Sequence, residues 1–201
     1  MAAYHSNLDE VKAATSQISI DLAAIYAQAQ QAGHPSAGAF GQCCTEFGSI
    51  VADIRTLLAR NAVPTADFVF NNILSRALDA NLSQAQKLET VRRFLQPNAR
   101  ETRNRNQAIA NGLWQRANTI NSLIYSQHDI ITQLGSNPSA ILNRFQTMLN
   151  GIGYLSGGYF QRIDAFMVYV EGQVVNNTLV AANIEREVTW IIQFRAQMAR
   201  F

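Results

Sequence analysis

Mostly apolar side chains recur at alternating steps of three and four near the start of the chain, at Leu8, Val11, Thr15, Ile18, Leu22, Ile25 and Ala29. That spacing puts them on one face of an α-helix. Asn7, followed by Glu10, supplies an N-terminal cap, and Gly33-His34-Pro35 stops the helix. The stripe reads first as core, with a partner-binding seam as the alternative. Phe40, Cys43, Phe47, Ile50, Ile54 and Leu57 repeat the period and predict a second helix, in a segment that Pro64 closes. Thr65 is the expected cap of a third, carrying Phe68, Ile73, Leu74, Ala77 and Leu78. Ser83 with Gln86 reads as the capping box of a short fourth helix that ends before Pro97. A longer helix follows, with Ile109, Leu113, Ala117, Ile120, Ile124, Ile131 and Leu134, and Gly135 after its end. Asn137-Pro138-Ser139 is a turn, and Ser139 is the expected cap of the next helix, through Leu149.

Gly151, Gly153, Gly157 and Gly158 then cluster in eight residues. Glycine weakens helix, so this is the expected linker or boundary, separating residues 1–150 from a C-terminal extension over 151–201. Helical stretches are expected there at roughly 159–175 and 179–200. Phe68-Val69-Phe70 and Met167-Val168-Tyr169-Val170 have strand-like composition, yet each sits inside a helical period. The fold class that follows is all-α.

Of the 201 residues, 48% are hydrophobic and only 15% are charged, well under the usual quarter. A chain so sparsely charged either hides much of its surface or packs against copies of itself, and self-association is the favoured reading. Cys43 and Cys44 are neighbours with no framework of spaced cysteines, which suits a reducing compartment. The first residues lack a basic stretch followed by an apolar one, so no signal peptide is expected, and no run of 18 apolar residues predicts a membrane span.

Catalytic patterns are missing. His5, His34 and His128 are scattered, and there is no His-Glu-x-x-His, Cys-x-x-Cys, phosphate-binding glycine loop or Gly-x-Ser-x-Gly elbow. No catalytic residue, metal or cofactor is expected, although an enzyme whose groups converge from distant positions would leave no such pattern.

Charge distribution changes the picture more than net charge, which is +2. Arg92, Arg93, Arg100, Arg103, Arg105 and Arg116 fall in one short window whose only acidic residue is Glu101. Arginine suits planar, bidentate contact with phosphate or carboxylate. If Gln96–Asn106 is extended, Arg103 and Arg105 face one way and can grip successive phosphates, while Asn104 and Asn106 reach sugars or bases. Ala108, Ile109, Leu113 and Trp114 offer small or flat surfaces for single-stranded bases. The alternative is a solvated connection between helices whose arginines pair with carboxylates elsewhere.

Glu101-Thr102-Arg103-Asn104-Arg105, followed by a helix with Arg116-Ala-Asn-Thr-Ile-Asn-Ser-Leu-Ile124, resembles the inner half of the coat proteins of rod-shaped, tobacco-mosaic-like plant viruses. That family has an acidic residue and Thr-Arg-Asn-Arg at the axial end of one radial helix, then an arginine and an Ile-Asn-Asn-Leu-Ile string on another. The resemblance implies a four-helix-bundle core with additional C-terminal helices. It also implies a subunit that polymerises into a helical rod around single-stranded RNA, found in the virion and, during assembly, in the host cytoplasm. Carried over, Arg103 and Arg105 contact phosphate, with Arg100 and Asn104 in the same RNA-binding set. Arg116 pairs with Glu101 in an inner salt bridge or approaches the RNA. The stretch from Arg105 to Arg116 is shorter than the family's inner loop. Either Asn143-Arg-Phe-Gln146 or Ile184-Glu-Arg-Glu-Val-Thr-Trp190 can stand for its outer motif. The competing expectation is a cytoplasmic helical scaffold without nucleic acid, using the Leu8–Ala29 stripe as its seam.

Overall fold

The computed structural model describes residues 8–178 and 181–201, and every regular element among them is helical. They divide into two compact units, each built from two separate stretches of chain.

The first unit takes residues up to Arg55 together with Ala110–Tyr154. Helix α1 (Leu8–Gln31) buries all seven positions of its predicted stripe. That stripe is therefore core, which removes it as a partner seam. Its expected cap, Asn7, lies outside the described residues. Gly33 ends the helix with φ at 60°, a left-handed conformation that glycine adopts without strain. Helix α2 (Ala37–Leu57) turns Phe40, Cys43, Phe47, Ile50, Ile54 and Leu57 inward, as its period predicts. Phe47 meets Phe145 edge to face, with ring centroids 5.6 Å apart. Phe145 belongs to α8 (Pro138–Gly153), which packs along α1. Asn137, rather than Ser139, caps α8: its side chain accepts from the Ala140 N–H at 3.1 Å. Arg144 ties the same helix to Asp21 of α1.

The glycine cluster is helical rather than an open linker, and the boundary between the two units, at Tyr154 and Leu155, falls inside it. Gly151 and Gly153 lie in α8, and Tyr154–Phe160 continue it as a π-helical stretch. Gly151 serves close packing instead, because a Cβ there would overlap the Val11 side chain of α1.

The second unit joins Thr56–Ile109 to Leu155–Phe201. The C-terminal fifty residues are thus half of a packed unit, not an extension beyond a completed 1–150 core. After Leu57 the helix does not stop at Pro64. It continues as a π-helical turn at Leu58–Ala62, α3 (Val63–Phe68), a second π-helical stretch at Val69–Leu74 and α4 (Ser75–Leu78). Proline has no N–H to donate and its ring crowds the carbonyl four residues back. The wide turn just before Pro64 gives that carbonyl room. Thr65 is accordingly inside the helix, its hydroxyl bonded to the Asn61 carbonyl at 2.7 Å.

Helix α5 (Gln84–Leu95) starts with the expected capping box: the Gln86 N–H donates to Ser83 Oγ and the Ser83 N–H to Gln86 Oε1. Helix α6 (Pro97–Ser126) follows at once, and α7 (His128–Gln133) takes the rest of the expected long helix after a break at Gln127. Helix α9 (Gln161–Val175) lies against α5, while α10 (Ala181–Arg200) lies against α3 and its flanking π-helical turns. Both strand-like stretches are helical or π-helical. The core of this unit gathers Tyr159, Phe160, Trp190 and Phe194. Tyr159 is fully buried and donates its hydroxyl to the Ala62 carbonyl at 2.7 Å. Among the described residues no helix is long and apolar enough to cross a membrane.

Candidate nucleic-acid interface

The basic segment is helical, which changes what its arginines can reach. Gln96 is extended (ψ 151°), the conformation favoured before proline, and Pro97 opens α6. The stripe Leu113, Ala117, Ile120 and Ile124 runs back through Ala110 to Asn106 and Arg103 at the same alternating spacing. Arg103 and Asn106 are therefore inward-facing, 3% and 4% exposed. Two residues apart on a helix is roughly 200° around the axis, so Arg103 and Arg105 point opposite ways. The expected pair of phosphate grips is not formed, and Asn106 is out of reach of any nucleic acid. Nor does Glu101-Thr-Arg-Asn-Arg105 end a helix before a loop; it occupies the first turns of a long one.

Arg103 is held by residues of the second unit. Its Nε pairs with Asp164 of α9. Its Nη1 donates to the Phe94 carbonyl at 3.0 Å, and its guanidinium lies 4.1 Å over the Phe94 ring. That ring also stacks on Phe68, centroids 5.9 Å apart. Nη2 is buried with no hydrogen-bond partner among the described residues. Such a side chain fastens helices together.

Arg116 is also engaged, in the first unit. Nε donates to Glu46 at 2.6 Å, Nη1 to Asp53 at 2.7 Å and Nη2 to Ser49 at 3.0 Å, all on α2. The hydrogen bonds it donates to Glu46, then to Asp53, push the guanidinium above its already high ordinary pKa, so it stays cationic. Glu101 stands fifteen residues away on the same helix, about 22 Å at the rise of an α-helix. The expected Glu101–Arg116 bridge does not form within the chain for that reason. Glu46 and Asp53, seven residues or about two turns apart on α2, have taken its place; only their spacing on one helical face hinted at it.

Arg92 pairs with Glu171 at 3.0 Å and Arg93 with Glu89 at 2.9 Å. Four of the six clustered arginines thus follow the reading in which carboxylates elsewhere neutralise them. Arg100 and Arg105 are exposed and form no ion pair among the described residues. Around the helix they stand roughly 140° apart, with Asn104 and Ala108 exposed between them. Glu101 shares that arc and brings its net charge to about +1 by count. Of the expected stacking platforms, Ile109 and Trp114 are 39% and 38% exposed, whereas Leu113 is buried. Among the described residues no group of three His, Cys, Asp or Glu is placed to hold a metal ion. Comparison with known protein families, with characterised proteins and with solved structures returns no match.

Proposed function

We propose that this chain is a structural subunit that self-assembles into a helical rod and packages single-stranded RNA, with Arg100, Asn104 and Arg105 as its contacts to the nucleic acid. The observation that carries the reading is the division within the arginine cluster: four members have carboxylate partners, and the two that do not flank one exposed polar arc of α6. A strand crossing that arc meets a guanidinium on either side, with an amide and the Glu101 carboxylate between them; the balance stays positive, and arginine–phosphate contact gives affinity independent of base sequence. The low charge and the exposed apolar side chains Ile20, Tyr125, Val168 and Val175 suit a subunit covered by its own copies. The resemblance of the Glu101–Arg105 and Arg116–Ile124 strings to rod-virus coat proteins points the same way.

The test is negative-stain electron microscopy of the purified protein with added RNA, together with the 260/280 absorbance ratio of any rods. Rods rich in nucleic acid are expected from the wild type, and folded protein without packaged RNA from Arg100→Ala/Arg105→Ala. Packaging by that folded double variant removes these residues from the role. The same exposed apolar side chains also fit a helical scaffold without nucleic acid, which predicts small discrete oligomers and no salt-sensitive RNA binding.

A further inference from the structure

A cavity of about 410 Å³ opens in the second unit between α9 and α10, lined by Arg162, Ala165, Phe166, Tyr169, Arg186 and Glu187. Its volume lies in the range of small-molecule sites. Arg162 is fixed there: its guanidinium lies 4.3 Å over the Trp190 ring and donates to Glu187 Oε2 from Nε at 3.2 Å and Nη2 at 2.8 Å. Glu187 is thereby neutralised. Arg186, exposed at the same opening, forms no ion pair among the described residues. Among the described residues that leaves one uncompensated cation at the opening, and the same lining holds an aromatic ring, Tyr169, that is 41% exposed. Ala165 and Phe166 add apolar surface to the lining.

We infer that this groove binds a 5′-nucleotide, its base stacked on Tyr169 and its phosphate on Arg186. The lining asks for a flat apolar body carrying an anion at one end. Base–aromatic stacking tolerates any base, and a free guanidinium with its donors in a plane matches phosphate. An extended peptide finds less here, because every lining residue is helical and its backbone groups are already bonded along its own helix. The groove shares no residue with the Arg100–Arg105 arc, so either site stands or falls without the other.

Equilibrium dialysis of adenosine 5′-monophosphate against the full chain tests it, with adenosine and inorganic phosphate as separate probes. Saturable binding of the monophosphate is expected, with adenosine and phosphate each weaker by about fivefold or more. Arg186→Ala should weaken it by about tenfold, and Tyr169→Ala by about fivefold while Tyr169→Phe retains it. The Arg100→Ala/Arg105→Ala variant should bind the monophosphate as the wild type does, whatever becomes of its RNA packaging. No saturable binding overturns the inference. So does an affinity that neither Arg186→Ala nor Tyr169→Ala changes, or inorganic phosphate binding as tightly as the nucleotide.

Discussion

Arg103 on α6 and Asp164 on α9 form an ion pair in which the arginine side chain is 3% exposed and the carboxylate 28%. The asymmetry decides what each loss does. Asp164→Asn strands a cation that water cannot reach, and removing one partner of a buried pair costs about 3 kcal/mol or more. Arg103→Met leaves a carboxylate that water still touches and replaces the stem with apolar bulk, so its loss should be smaller, about 1–2 kcal/mol. Arg103→Met/Asp164→Leu should recover most of the stability. Urea unfolding midpoints of the three variants check this, and an Asp164→Asn no worse than Arg103→Met would mean the stranded charge is not what matters.

The same burial redirects the test of RNA contact. Arg103→Ala is expected to lose packaging through loss of fold, so it cannot report on phosphate. If Arg100 and Arg105 each contact one phosphate, their joint replacement by Ala lowers the slope of log affinity against log salt by about 1.4 for single strands. Arg92→Ala and Arg93→Ala, whose charges Glu171 and Glu89 already offset, should change it less. Equal slopes for the two pairs of variants, measured by filter binding to a homopolymer, would sink the distinction between paired and free arginines.

The α1 and α2 stripes were legible because each is purely a matter of period, and every residue named on them is buried. The Ser83 box was legible because both partners lie within one turn. Composition misled at Pro64, and at Gly151–Gly158 it marked the boundary between the units but not the helix that runs through it. Wide π-helical turns and a close approach to Val11 let helices run through residues that normally end them. Arg103 shows how a period can be stopped too early. The α6 stripe extends back to it without a break, but a guanidinium among apolar positions reads as surface until its partner is known. Asp164 and Phe94 are distant in sequence, and no spacing announces them. The groove at Arg186 and Tyr169 was equally hidden, since it depends on two helices lying side by side.

Tyr159 should give the alkaline limb of stability a visible slope. Burial first, then the charge of Asp67, push its phenol pKa far above the ordinary value. The unfolded chain loses that proton near pH 10, while the folded chain keeps it. Above pH 10 the unfolded state therefore binds fewer protons, and stability falls as pH rises, by up to about 1.4 kcal/mol per unit. Below pH 10 the contribution is constant. Tyr159→Phe should be less stable at pH 7 by about 1 kcal/mol for the lost bond to the Ala62 carbonyl, yet flatter between pH 10 and 11. Parallel limbs for the two proteins in denaturant titrations would assign the alkaline loss to other groups.

Gly151 and Val11 set two opposed effects against each other. In an ordinary helix interior, Gly→Ala gains about 1 kcal/mol from reduced backbone entropy. Here the new methyl would overlap both γ-carbons of Val11, on a helix packed directly against α8. Overpacking of a filled core costs about 1–3 kcal/mol, so Gly151→Ala should destabilise on balance. Val11→Ala alone should also destabilise, by about 1–2 kcal/mol for the buried methyls removed. Combined, the new Cβ fills the space that Val11 vacates, and the helix preference of alanine is expressed. The double variant should be more stable than the sum of the single losses predicts, by about 1 kcal/mol or more. Thermal or urea unfolding of the four proteins measures that coupling. Simple additivity would mean that α1 and α8 adjust their separation freely, and that the glycine is not what allows their approach.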